Sequence, residues 1–90
     1  MGLDVAKVTE ELLPRPRGAA YTFAWDLVES CAAWGEGHAL NFYYRTDLQL
    51  LAADYIMEHL LDVHESETIF DWVESLPYDD AGYISLYFNW

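Results

Sequence analysis

The last eight residues of the sequence, "YISLYFNW" at 83–90, alternate without interruption. Ile84, Leu86, Phe88 and Trp90 fall on one side of an extended chain and Tyr83, Ser85, Tyr87 and Asn89 on the other, the two-residue period of a half-buried strand. Such a strand requires neighbours for its backbone and a second layer over its apolar side. The preceding "YDDAG", 78–82, reads as a turn, with Asp79 and Asp80 as turn formers rather than a catalytic dyad.

Much of the remaining chain carries the longer period of helices. Residues 47–62, "DLQLLAADYIMEHLLD", gather Asp47, Asp54, Glu58 and Asp62 into an arc of roughly 80° at about 100° per residue, with only Leu51 intruding. Apolar residues, among them Leu48, Ala52, Tyr55 and Ile56, take most of the remaining circumference. A central helix is expected, packed on several sides and wet along one acidic line. Thr46 or Asp47 is its expected cap. Ser66 is expected to cap a second, shorter helix in which Glu67, Asp71 and Glu74 lie within about 60° of one another. Ile69, Phe70, Trp72, Val73 and Leu76 form its buried side, and Pro77 ends it.

Residues 19–34 predict a helix with Tyr21, Trp25, Leu27, Val28, Cys31, Ala32 and Trp34 on one broad face. Thr22, Asp26 and Glu29 lie opposite, Phe23 near the edge, and Gly35 is the stop. Residues 3–13 predict a further helix, capped by Asp4, with Val5, Val8, Leu12 and Leu13 opposite Lys7, Glu10 and Glu11. The prolines of "PRPRG" at 14–18 break it. "HALNFYYR", 38–45, reads as a second strand. The fold class expected is α+β, a single acidic globular domain over 1–90 with about four helices packed on a short antiparallel sheet.

A chain of 90 residues buries a modest core, and its 53% hydrophobic content argues against disorder despite a formal charge of −12. With Cys31 alone no internal disulfide forms, and the thiol is expected to be buried filler in a reducing compartment. The opening residues lack a secretory signal, Ala6 breaks a myristoylation pattern, and no stretch matches a membrane span, so a soluble cytoplasmic protein without a membrane partner is expected.

Chemistry-bearing motifs are scarce. Cys31, His38, His59 and His64 show no zinc spacing. His59 and His64 are turned about 140° apart on a continuous helix, where two ligands on one face need a four-residue step. His59, within the apolar arc, is expected to be a hydrogen-bonded core histidine. There is no nucleophile elbow and no phosphate-binding glycine loop, and "GEG" at 35–37 reads as a turn. No catalytic residue, metal or cofactor is assigned, and no enzyme activity is expected.

The charge pattern is the remaining signal. Between residues 46 and 82 stand ten acids, Asp47, Asp54, Glu58, Asp62, Glu65, Glu67, Asp71, Glu74, Asp79 and Asp80, and no Lys or Arg. Soluble surfaces ordinarily intersperse both signs. Like-charge neighbours one helical turn apart repel by about 0.2–0.5 kcal/mol per pair, more in total than solubility requires. The physical complement is a basic groove that otherwise takes nucleic acid, so the expectation is a small acidic inhibitor of a nucleic-acid-binding enzyme or defence complex. Phage-borne inhibitors of the anti-CRISPR or anti-restriction type offer an analogy of size and composition, with mimicry of DNA as the route. Its partner would be a basic protein and not nucleic acid itself, because phosphate repels this chain. The alternative is an interaction module or immunity protein using an aromatic sheet face or an edge strand, centred on Tyr43, Tyr83 and Tyr87 with Asn41, Asn89 and Arg45. For the tyrosines themselves a covering helix is the first expectation, and a protein interface or homodimer contact the next.

Overall fold

The structure, a computed structural model, describes residues 2–7, 11–13, 15–31 and 33–90, with the backbone alone described at 11, 12, 33 and 34. The chain runs β1 (Asp4–Lys7), β2 (Glu11–Leu12), α1 (Ala19–Glu29), β3 (Ala33–Gly35), β4 (His38–Tyr44), α2 (Arg45–His59), α3 (Val63–Ser75) and β5 (Tyr83–Asn89). The strands form one antiparallel sheet in the order β2-β1-β5-β4-β3. The alternating C-terminal segment is its central strand, flanked on both sides. Ile84, Leu86 and Phe88 are buried, as their period requires, against Leu3, Val5, Ala39 and the helices. The class is α+β, with three helices among the described residues rather than four.

The missing helix is the N-terminal one. Within 3–13 the described residues form strands, Asp4–Lys7 as β1 and Glu11–Leu12 as β2, and Asp4, expected as a cap, instead lies opposite Asn89 and accepts an ion-paired hydrogen bond from Arg15 Nη2 at 2.7 Å. Leu3 and Val5 are fully buried two residues apart. That two-residue step competes with the helical spacing, and pairing to β5 decides between them. Val8 and Glu10, assigned to opposite faces of that helix, lie outside the described residues.

The helix expected over 19–34 ends at Glu29, where the amides of Ser30 and Cys31 bond back to the carbonyls of Leu27 and Val28 at 3.1 Å. The chain then pairs as β3 with β4 through a two-residue turn, Glu36–Gly37, with Gly37 at φ 80°. Ala32, placed on the helix face by its spacing, lies outside the described residues. Phe23, expected at the edge of that face, is fully buried at the centre of the helical layer, with Tyr55 at 5.4 Å and Trp72 at 6.2 Å in edge-on contact.

α2 begins at Arg45, directly after β4, one residue ahead of the expected cap at Thr46. Asp47 acts from within the first turn, its Oδ2 accepting the Tyr44 amide at 3.1 Å. The helix is peripheral rather than central: of its fifteen residues only Leu48 and Ala52 are buried. It stops at His59, and Leu60 takes a left-handed conformation at φ 52°. Asp62 therefore leaves the acidic line and caps α3 instead of Ser66. Its Oδ1 accepts the Glu65 amide at 2.8 Å while Glu65 Oε1 accepts the Asp62 amide at 3.3 Å, a reciprocal capping box. α3 buries Ile69, Trp72 and Val73 and ends at Ser75, ahead of Pro77.

Candidate protein-binding faces

The helices lie on one side of the sheet, and this gives the molecule two unlike faces. On the helical face nine of the ten acids between residues 46 and 82 are exposed, and Glu65 is half-buried. Five of the ten have structural duties. Asp47, Asp62 and Glu65 serve helix starts. Asp79 Oδ1 accepts the amides of Ala81 and Tyr83, each at 2.9 Å, and so builds the turn into β5. Glu74 is held by Arg45 and by Gln49, whose Nε2 donates at 2.7 Å, and these bonds, Gln49's first, keep its carboxyl below the usual range. The remaining five, Asp54, Glu58, Glu67, Asp71 and Asp80, make no side-chain hydrogen bond or ion pair among the described residues.

These free acids do not form a single row. Arg45 and Gln49 sit about 160–200° around α2 from Asp47. Their contact with Glu74 therefore sets the acidic line of α3 against the flank of α2 that lies away from Asp54 and Glu58. The Arg45 guanidinium stands between the lines, 5.9 Å from the Tyr78 ring centre. Tyr78 donates its hydroxyl proton to the Val73 carbonyl at 2.7 Å, and burial pushes its pKa up to about 12.

Around Asp54 and Glu58 the surface of α2 and its turn is apolar, where the helical spacing predicts packed residues. Met57 is 74% exposed, Leu60 88% and Val63 75%, and Leu50 and Leu51 are exposed alongside. His59 is exposed rather than a core residue, its ring 4.2 Å from that of Tyr55. Across from this end of α2, burial and then the nearby Glu29 raise the pKa of Asp26 on α1, and Glu58 adds to the effect.

The second face is the outer side of the sheet, which none of the helices among the described residues covers. The register Phe42↔Ser85 and Tyr44↔Tyr83 brings Phe42, Tyr44, Tyr83 and Tyr87 together there, with His38 beside Tyr87. Phe42 stacks on Tyr83 at 6.2 Å with planes 3° apart, and His38 on Tyr87 at 6.1 Å and 19°. Tyr43 belongs to the opposite side. It is buried beside Cys31, with 4.0 Å between hydroxyl and Sγ, and burial raises the pKa of both groups. Asn41 shares the parity of Tyr43, so the outward residues of this strand end are Phe42 and Tyr44 in place of Asn41 and Tyr43. Alternation counted from Ala39 and Tyr43 through the register with Ile84 identifies them.

Among the described residues no group of three or more His, Cys, Asp or Glu side chains is placed to hold a metal ion, and no buried side-chain polar atom lacks a partner. An open groove of about 410 Å³ between the starts of α1 and α3 is lined by Gly18, Ala19, Thr22, His64, Glu65 and Thr68, and its one carboxylate is engaged in the α3 cap. No helix is long and apolar enough to cross a membrane. No protein-family model matches the chain, and comparison with characterised proteins and with solved structures found no match.

Proposed function

We propose that the chain is a small acidic inhibitor that docks on a basic, nucleic-acid-binding protein or enzyme complex through the outward surface of α2 and the turn into α3. The observation that carries this reading is the pairing of unengaged carboxylates with exposed apolar side chains: Asp54 and Glu58 share α2 with Leu50, Leu51 and Met57, each three or four residues from Asp54, and the exposed Leu60 and Val63 follow where the chain turns into α3. Carboxylates of one sign steer a basic partner into encounter, and desolvated apolar contacts supply affinity once it is seated. The contact is therefore mixed, a charged approach ending on an apolar tip, rather than a copy of the phosphate row of DNA. No catalytic role is proposed.

The test substitutes Asp54→Asn and Glu58→Gln together and leaves Asp62 intact for its cap. Wild type immobilised in host extract is expected to retain a nucleic-acid-binding protein that both salt and duplex DNA release. The double variant, folded by circular dichroism, is expected to bind that protein at least about tenfold more weakly, equivalent to about 1.4 kcal/mol. Retention that duplex DNA does not disturb, or equal binding by the variant, would remove the reading. A second reading rests on the uncovered aromatic sheet face: an interaction module that engages its partner there, with the acids as a solvating layer.

A further inference from the structure

We infer that the outer face of the sheet pairs with the same face of a second copy of the chain, two sheets stacking about a twofold axis with Phe42, Tyr44 and Tyr87 at the contact. Charge is the first reason. The chain carries a formal charge of −12, yet the only acid among the described outward residues of β1, β4 and β5 is Asp4, held at 2.7 Å by Arg15. Two copies meeting helix to helix would bring their free carboxylates together. Meeting sheet to sheet, with layers about 10 Å apart, they hold their helical layers on opposite sides at a separation of about 30 Å, well beyond the screening length of about 8 Å at physiological salt.

Area is the second reason. Phe42 is 52% exposed, Tyr44 51% and Tyr87 37%. Aromatic side chains bury about 150–250 Å² each when covered, so with His38, Leu40 and Tyr83 the face offers on the order of 500 Å². Twofold pairing then removes about 1,000 Å² from water, the lower bound for a specific interface and the size of a weak, concentration-dependent dimer. The rings are already stacked in pairs, so docking them loses little side-chain freedom. Pairing by strand edges is the poorer route, since the edge strands β2 and β3 have two and three residues.

This inference is independent of the helix-face reading, and its test separates the two. Sedimentation of the full chain from about 5 to about 500 µM at about 0.15 M salt is expected to carry the mass from 10.4 kDa to twice that value. Ser85→Glu places a like charge on each copy opposite Phe42, and Phe42→Ser with Tyr87→Ser removes ring area at exposed positions where folding is not at stake. Each change is expected to weaken dimerisation at least about a hundredfold with the circular dichroism spectrum unchanged. The Asp54→Asn, Glu58→Gln variant is expected to dimerise as well as wild type. A wild-type chain that stays at 10.4 kDa throughout, or a dimer that survives both sheet-face variants, overturns the inference. So does a monomeric wild type whose sheet-face variants lose a heterologous partner, which would assign the face to that partner.

Discussion

Asp26 shows how one residue feels the charge of the whole chain. It stands on the wet side of α1, but partial burial raises its pKa above its ordinary value of 3.8, and Glu29 and Glu58 raise it further while His59 opposes them. The folded chain therefore holds the Asp26 proton more tightly than the unfolded chain does. The resulting stabilisation is fully present below the ordinary value, declines as pH rises through the folded one, and leaves the ionised carboxylate as a net cost at neutrality. Asp26→Asn is expected to raise the melting temperature at pH 7 by about 1–4 °C, the equivalent of one relieved like-charge pair on a domain of this size. Near pH 3 the gain should vanish, and an undiminished gain there would show that repulsion is not its source.

At the scale of elements, the turn between α2 and α3 goes against local preference. Leu60 adopts φ 52°, a conformation that favours glycine, and it does so with its side chain 88% exposed, so no burial offsets the strain. The return for the strain is the closure of α2, where the left-handed turn lets the Leu61 amide reach the Ile56 carbonyl at 3.1 Å, a bond that glycine at position 60 would allow as well. Leu60→Gly is expected to raise stability by about 0.5–1 kcal/mol in urea denaturation while weakening partner binding, because it removes the exposed tip. If Leu60→Gly destabilises the fold instead, the side chain holds the turn and is not kept for a partner.

For the whole molecule, repulsion and ion pairing can be weighed against each other. The like-charge neighbours within helices, Asp26–Glu29, Asp54–Glu58, Glu67–Asp71 and Asp71–Glu74, oppose folding by about 0.2–0.5 kcal/mol each. The exposed pairs Arg15–Asp4 and Arg45–Glu74 return about 0–1 kcal/mol each. Those terms nearly balance, so the twelve excess negative charges decide the sign. Raising sodium chloride from about 0.05 to about 0.5 M is expected to increase the melting temperature, because screening shortens the reach of repulsion from about 14 to about 4 Å. A falling melting temperature would mean that ion pairs carry more of the fold than their exposure allows.

By itself the sequence determined what depends on local period and local chemistry. The β5 alternation put Ile84, Leu86 and Phe88 inside, and the spacing of α3 put Ile69, Trp72 and Val73 inside, because a strand or helix next to a single core buries one side whatever the topology around it. The exposure of the acids between residues 46 and 82 was legible in the same way, since an unpaired carboxylate stays in water. What the tertiary structure alone decided was the outcome wherever two local patterns compete or a partner element is needed. Asp4–Lys7 became a strand because β5 had an open edge to fill. The acidic line lost Asp62 because Leu60 turned the chain and α3 needed a cap. Tyr43 went inside and Phe42 outside because the register with Ile84 fixes which side of β4 meets the helices. Among the described residues three helices cover one side of a five-stranded sheet, and the aromatic face on the other side is left without a helix. That is a fact of layer geometry, which no local period in the sequence encodes.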